Sequence, residues 1–300
     1  MKNLYSEKLV MEALNRSGFL LEGKIGKYLR NSSWNVEHSW PFIDSNSDKE
    51  REIDLLATHT IVDPTGVMSL SVTIVGECKL KKNGIVIMGR NEKFFPSSTS
   101  IYYLSKGYPG SLRIDNQTVF PGDFLEASKN HPHFLVEKSG FQILGIDGTA
   151  PKEIKNLNSI KQDLLAPLNK ATLDFIGQTY IFEEKSIDKM YWNFVAPIVI
   201  VSGPIWFYDT DLDETQTLNQ IDSAVLSLNY RSNYDPQSNG LPIVVLSEDS
   251  ADRYFDKLKE MLKSMIVQVS PRITEIRESV WREMSNEDQQ RFTDRRKKES

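Results

Sequence analysis

The pattern of apolar residues changes period within the first eighty residues of the chain. A helical period predicts one helix over residues 5–16, with Gly18 as its stop, and a second helix over 19–30. In the second helix the apolar positions recur at helical spacing, at Leu21, Ile25, Tyr28 and Leu29. Asn31-Ser32-Ser33 is expected to end it.

The pattern then becomes typical of β-strands. Three strands are predicted over Trp34–Phe42, Arg51–His59 and Met68–Lys79, with polar turns between them. Because strands joined by short turns pair with their neighbours, this part of the chain is expected to form an antiparallel meander.

From residue 91 onward the sequence predicts both strands and helices. Residues 91–150 are rich in Gly, Pro, Asn and Ser, which predicts an inserted subregion with short strands such as Ser100–Leu104 and Phe141–Ile146. Long helices are predicted over 152–187, with an interruption near Pro167. Val195–Tyr208 is apolar on both faces, which is typical of one buried central strand.

A final strand and two helices are predicted near the C-terminus. The strand covers Leu241–Ser247; Ser250 is expected to cap a helix over 251–267, and Ser270-Pro271 to start another to about 284. The basic tail, residues 287–300, is expected to be disordered. The fold class predicted for residues 1–300 is a single α/β domain, with a mixed central sheet flanked by helices, an insertion, and C-terminal helices and strands.

Composition narrows the class of protein. The single cysteine, Cys78, excludes an intrachain disulfide and a structural zinc site built on several thiolates. No secretory signal and no apolar run long enough for a membrane helix are evident, so a cytoplasmic protein with no membrane partner is expected. The net charge of −5 argues against tight non-specific binding to nucleic acid, although a local basic patch or an acidic active site is compatible with it.

Candidate chemistry lies on the second and third predicted strands. Side chains alternate along a strand, so Glu77 and Lys79 point to the same face. If Asp54 lies on the paired strand, two carboxylates and one ammonium converge there. Such oxygen ligands suit Mg²⁺ (or Mn²⁺), and the lysine can orient or help deprotonate an attacking water.

The Glu-x-Lys triplet alone has little specificity, because it occurs four times in the chain. Only Glu77-Cys78-Lys79 ends an apolar strand and follows an Asp on a preceding strand. The alternative is an exposed sheet face that carries an ordinary salt bridge. The apolar neighbours favour an active site, because free charges in a buried sheet are costly.

In this context residues 18–90 resemble the PD-(D/E)xK nuclease superfamily, whose fold is the restriction-endonuclease-like one. The resemblance implies that Asp54 and Glu77 bind a metal ion, with the backbone carbonyl of Cys78 as a further ligand, and that Lys79 serves the nucleophilic water. Position 53 is Ile where the motif's name has Pro. The resemblance also matches Glu22 to an acidic residue on the first core helix of the family.

Glu22 has a separate argument from the residues. It lies beside the predicted core-facing stripe of its helix, where a carboxylate needs a metal or a basic partner. The alternative, equally supported, is a rim residue that reaches solvent. Cys78 is expected to face the other side of the sheet as a small core residue.

The sequence therefore predicts an enzyme, a metal-dependent nuclease that hydrolyses phosphodiester bonds, with DNA as the expected partner. The alternative is a catalytically inactive nucleic-acid-binding or scaffold protein of the same fold. A glycosidase with a carboxylate pair is disfavoured, because Lys79 would have no role in it.

Overall fold

The structure is a computed structural model that describes most of the chain. The described residues are 6–44, 48–81, 83–93, 105–108, 112–114, 117–119, 136–146, 154–155, 164–178, 189–212, 218–226 and 241–299. The α/β class is confirmed: a large mixed sheet is flanked by helices on both faces.

The described helices are numbered in chain order. They are α1 (Glu7–Ser17), α2 (Phe19–Asn31), α3 (Ala166–Gln178), α4 (Glu248–Val269), α5 (Ile273–Glu283) and α6 (Asn286–Glu299). The described strands are β1 (Asn35–Asp44), β2 (Lys49–Val62), β3 (Met68–Lys79), β4 (Ile85–Arg90), β5 (Ser105–Tyr108), β6 (Leu112–Ile114), β7 (Gln117–Val119), β8 (Ser139–Ile146), β9 (Ile154–Lys155), β10 (Met190–Val201), β11 (Ile205–Asp209), β12 (Leu218–Ile221), β13 (Ser223–Leu226) and β14 (Ile243–Ser247).

Twelve of the described strands belong to one sheet. Its main path runs β1-β2-β3-β10-β14-β13-β8-β4-β11-β12, with β5 paired to β10 and β9 paired to β8. The strands β6 and β7 form a separate hairpin. The predicted meander is confirmed, because β1, β2 and β3 pair antiparallel in sequence order.

The strand β3 lies between β2 and β10 and is buried on both faces. It pairs in parallel with β10 over its whole length, from Met68 opposite Met190 to Lys79 opposite Val201. One face of the sheet packs against α2, α4 and α5, and the other packs against α3. A strand covered on both sides reads as a nearly continuous apolar run, which explains the sequence Met68–Lys79.

The α1–α2 corner matches its prediction closely. Ser6 caps α1 with its hydroxyl, and Gly18 ends it with a positive φ of 87°, a conformation that favours glycine. The helix α2 buries Leu21, Ile25, Gly26 and Leu29 against the sheet, as the helical spacing predicted.

Val195–Tyr208 is not one strand, and that prediction was wrong. The structure divides it between β10 and β11, with Ser202-Gly203-Pro204 as the connection. A proline alone does not end the strand, because Pro197 lies inside β10; the chain turns where Gly203 approaches the Lys81 carbonyl too closely for any other residue. The two strands are far apart in the sheet, because β10 is central and β11 lies next to β12 near an edge.

The region 152–187 also differs from its prediction. Its helical part in the described residues is α3, and Ile154–Lys155 forms a short strand against β8. Pro167 does not interrupt a helix, because it lies in the first turn of α3, where a missing N–H costs nothing. Residues 156–163 and 179–188 lie outside the described part.

The predicted insertion 91–150 contributes to the main sheet. The strand β8 pairs with β4 and β13, and β5 pairs with β10. Phe141–Ile146 lies within β8, in agreement with the sequence, while Ser100–Leu104 lies outside the described residues.

The C-terminal region is more helical than expected. The cap of α4 is Ser247, not Ser250, which lies buried in the first turn. The expected disordered tail forms α6 instead. An Arg291–Glu287 pair, four residues apart, supports this helix, and Gln289 donates hydrogen bonds to the carbonyls of Trp281 and Met284.

Candidate functional site

Asp54, Glu77 and Lys79 meet at one end of β3. The Lys79 ammonium nitrogen lies 2.6 Å from Glu77 Oε2 and 3.5 Å from Asp54 Oδ2. The structure therefore brings together the three groups that the sequence singled out.

The pairing of β2 with β3 explains why they meet. The paired register ends with Leu55 opposite Gly76, and one further step places Asp54 opposite Glu77. Beyond that point the ladder between the main chains gives way to a side-chain contact: the N–H of Cys78 donates to Asp54 Oδ2 at 2.7 Å. Asp54 thus replaces a main-chain acceptor, and its carboxylate is fixed beside Glu77.

The site lies at the carboxyl ends of parallel strands. Lys79 is the last residue of β3 and lies opposite Val201, the last residue of β10, which in turn lies opposite Ser247 at the end of β14. In open α/β sheets this edge is where ligands bind.

Burial gives Glu77 an unusual titration. Glu77 is only 4% exposed, and burial raises its pKa from 4.5 to about 8, with a hydrogen bond and charge repulsion from Asp54 as further causes. Lys79 opposes this shift. Asp54 and Glu77 are therefore two close carboxylates, poorly hydrated, that share the positive charge of one ammonium group, that of Lys79.

Lys79 keeps its proton at neutral pH. Burial lowers its pKa, but the charges of Glu77 and Asp54 and their hydrogen bonds raise it by more, so the pKa lies above its usual range. An ammonium that is held in this way donates hydrogen bonds and does not act as a base.

Glu22 lies on α2 within electrostatic range of the other groups. Partial burial raises its pKa, the charge of Asp54 raises it further, and Lys79 lowers it. In the described part of the chain Glu22 makes no hydrogen bond or ion pair with these groups. The structure thus places Glu22 beside the site, not inside its hydrogen-bonded centre.

Cys78 faces away from the carboxylates, as predicted. Its side chain belongs to the core cluster on the α2 side of the sheet and is 3% exposed. Burial, and then the charge of Asp54, raise the pKa of the thiol well above its usual range. A protonated, buried thiol is inert, so only the backbone carbonyl of Cys78 is available to a ligand.

The sequence did not predict that the segment after Lys79 contacts the connection Ser202-Gly203-Pro204. The N–H of Ser202 donates to the Lys79 carbonyl at 3.1 Å, and Ile85 N–H donates to the Pro204 carbonyl at 3.0 Å. A Cβ on Gly203 would lie 1.7 Å from the Lys81 carbonyl oxygen, so only glycine allows this approach. The Gly203-Pro204 pair was the available signal for a turn at this place.

The donor set suits a hard divalent cation only in part. In the residues that the structure describes, no group of three or more His, Cys, Asp or Glu is arranged as a metal site. Asp54 and Glu77 supply two carboxylates, so further ligands would have to be oxygen atoms of the backbone, such as the Cys78 carbonyl, or of water. Carboxylate, carbonyl and water oxygens are the ligands that Mg²⁺ and Mn²⁺ prefer.

Within the described residues, every helix is too short or too polar to cross a lipid bilayer. Comparisons with protein-family models, with curated proteins and with solved structures found no match for this chain.

Proposed function

We propose that this protein is a metal-dependent nuclease that hydrolyses phosphodiester bonds of DNA through a PD-(D/E)xK-type site on a restriction-endonuclease-like fold. The observation that carries the proposal is that the Lys79 ammonium lies within hydrogen-bonding distance of both Asp54 and Glu77 at a carboxyl edge of the sheet. Glu77 is buried and its two partners are partly buried. Because a buried ion pair adds little to the stability of a fold, this arrangement favours a functional role.

Asp54 and Glu77 offer two of the oxygen ligands that a Mg²⁺ or Mn²⁺ ion takes, and backbone and water oxygens would complete the set. Asp54 and Glu77 would hold it, together with the carbonyl of Cys78. Burial, and then the neighbouring Asp54, raise the pKa of Glu77, and a bound cation would favour its ionised form. When bound, the cation supplies Lewis-acid polarisation of a phosphoryl oxygen and lowers the pKa of a water molecule.

Each protein group then has a distinct task. Asp54 is anchored by the N–H of Cys78, so its carboxylate keeps its position with little loss of side-chain entropy. Lys79 donates hydrogen bonds from a protonated Nζ, which suits orientation of the attacking water and stabilisation of developing phosphoryl charge. Glu22 adds negative charge at the rim of the site.

The test is a cleavage assay on DNA in Mg²⁺ or Mn²⁺, with chelator as a blank. Asp54→Ala and Lys79→Ala are expected to abolish cleavage. Glu52→Ala is the matched control, because Glu52 is an exposed carboxylate on the same strand as Asp54. Cleavage that persists unchanged in both site variants would overturn the proposal.

The alternative proposal is a catalytically inactive nucleic-acid-binding or scaffold protein of the same fold. One observation favours it: the ammonium of Lys79 already compensates Glu77 at 2.6 Å, as in an ordinary ion pair. This alternative predicts no binding of Mn²⁺. Isothermal titration calorimetry with Mn²⁺ separates the two, because the nuclease proposal requires heat of binding that Asp54→Ala removes.

A further inference from the structure

Phe19 is a large exposed aromatic residue at the edge of the candidate site. It is the first residue of α2, and its side chain is 59% exposed. The preceding residue, Gly18, lies against the site: a Cβ built on Gly18 would be 3.7 Å from the carbonyl oxygen of Cys78. Phe19 therefore follows a residue that lies close to the Cys78 carbonyl.

The helical position of Phe19 places it on the side of α2 that carries Glu22. Phe19, Glu22 and Gly26 follow one another at i, i+3 and i+7, so they form one stripe along the helix. Glu22 senses the charges of Asp54 and Lys79. Leu20, which is 44% exposed, lies about 100° away around the helix.

The charges around α2 limit how DNA can be held there. Lys24 is paired with Glu248, and Arg30 contacts His38 Nε2 at 2.9 Å, while Lys27 is exposed on the same helix. With two of the three α2 cations engaged and a net charge of −5, phosphate contacts alone are a weak source of affinity. An aromatic ring offers the other general source of affinity for DNA, because it stacks on the face of a base.

We propose that Phe19 stacks on an unpaired base of single-stranded DNA, next to the phosphodiester bond held at Asp54, Glu77 and Lys79. The inference rests on the proposed nuclease function and names its substrate class. Stacking needs an open base face, and in a duplex both faces of each internal base are covered by its neighbours. Single-stranded DNA is therefore preferred over duplex DNA.

The binding test uses a 12-nucleotide single-stranded DNA that carries one 2-aminopurine, whose fluorescence is quenched by stacking. The probe is titrated with the full chain in chelator, so that no hydrolysis occurs. Phe19→Ala is expected to weaken binding by about 5- to 150-fold, the range for one stacked base, and to abolish the quenching. Phe19→Trp should restore both.

Two matched variants separate stacking from general apolar contact. Phe19→Leu keeps an apolar side chain without an aromatic face and should behave like Phe19→Ala. Leu20→Ala removes a neighbouring exposed apolar residue and should bind the probe within about twofold of the parent protein, because Leu20 lies off the stripe. Equal binding by the parent protein and Phe19→Ala, or an absence of binding by the parent, overturns the inference.

Hydrolysis assays separate failure of the stacking proposal from failure of the nuclease proposal. With Mn²⁺, the parent protein and its Phe19→Ala variant are expected to hydrolyse bis(p-nitrophenyl) phosphate equally, because that ester has no base to stack. On single-stranded DNA the variant should lose activity through a higher KM. Failure of the parent to hydrolyse either substrate defeats the nuclease proposal, whereas the fluorescence titration decides the stacking proposal by itself.

Discussion

The N–H of Cys78 donates its hydrogen bond to the carboxylate of Asp54, at 2.7 Å, and not to a main-chain carbonyl of the neighbouring strand. This one hydrogen bond has a consequence for the fold and another for the candidate site. It fixes an acidic side chain beside Glu77, and it gives the end of the β2–β3 ladder the acceptor it otherwise lacks. The two consequences can be separated by mutation.

Asp54→Ala should therefore reduce both stability and activity. Loss of the acceptor leaves the Cys78 N–H without its partner, and we expect a loss of about 1–3 kcal/mol in the free energy of unfolding, measured by urea denaturation. Asp54→Asn keeps an oxygen acceptor, so its stability should be close to that of the parent. Both variants should lose cleavage by about 100-fold or more, since both remove the charge that holds the cation.

Lys79→Ala should slow cleavage without weakening metal binding. Removal of the ammonium leaves Asp54 and Glu77 uncompensated, so Mn²⁺ should bind at least as tightly in calorimetry. Single-turnover cleavage should fall by about 100- to 10,000-fold, the usual effect of losing a positioned proton donor. Loss of Mn²⁺ binding in this variant would contradict the assignment of Lys79 as a group that does not hold the metal.

The pH dependence of stability should show the burial of Glu77. Its pKa is about 8 in the folded state and 4.5 when unperturbed, so between these values the folded protein binds a proton that the unfolded chain has released. In chelator, stability should fall as pH rises through this window, by up to about 1.4 kcal/mol per pH unit.

Glu77→Gln provides the control for this effect. Glutamine resembles the protonated acid and does not titrate, so the slope should be lost and the variant should be more stable than the parent at pH 8. Urea unfolding of both proteins at pH 5, 6.5 and 8 measures the difference. Parallel curves for the two proteins would contradict the raised pKa.

A separate prediction concerns Asp44, which joins α3 to the meander. Asp44 is 2% exposed and accepts from Lys170 Nζ at 2.6 Å and from Arg51 Nε at 2.9 Å. Lys170→Ala leaves a buried carboxylate with less compensation and should cost roughly 3 kcal/mol in urea unfolding.

An exposed ion pair offers the comparison. Arg291→Ala breaks the pair with Glu287 on α6, where both side chains are largely in solvent, and should change stability by less than about 0.5 kcal/mol. Similar losses in the two variants would mean that burial of Asp44 contributes nothing to the strength of its pair.

Local signals in the sequence determined the first part of the fold. Periodicity of three to four residues gave α2, alternation gave β1 and β2, and a long apolar run bounded by turns gave β3 with both its ends, Met68 and Lys79. The same alternation put Glu77 and Lys79 on one face and Cys78 on the other, because side chains of a strand alternate by geometry alone.

Tertiary structure decided what these signals leave open. The sequence did not separate β10 from β11, because an apolar run is the same whether its parts are neighbours or lie in distant positions of a sheet. It also gave no sign that β10 lies beside β3, that the Ser202 N–H donates to the Lys79 carbonyl, or that Gly18 lies close to the Cys78 carbonyl.

The physical reason is the range of the interactions. Helix and strand periods, turns and caps depend on residues a few positions apart, and the sequence displays them directly. Burial of Glu77 and its raised pKa depend instead on segments more than a hundred residues away, since β10 covers one edge of β3. The sequence thus named Asp54, Glu77 and Lys79, and only the folded chain decided the distances between them and the pKa of Glu77.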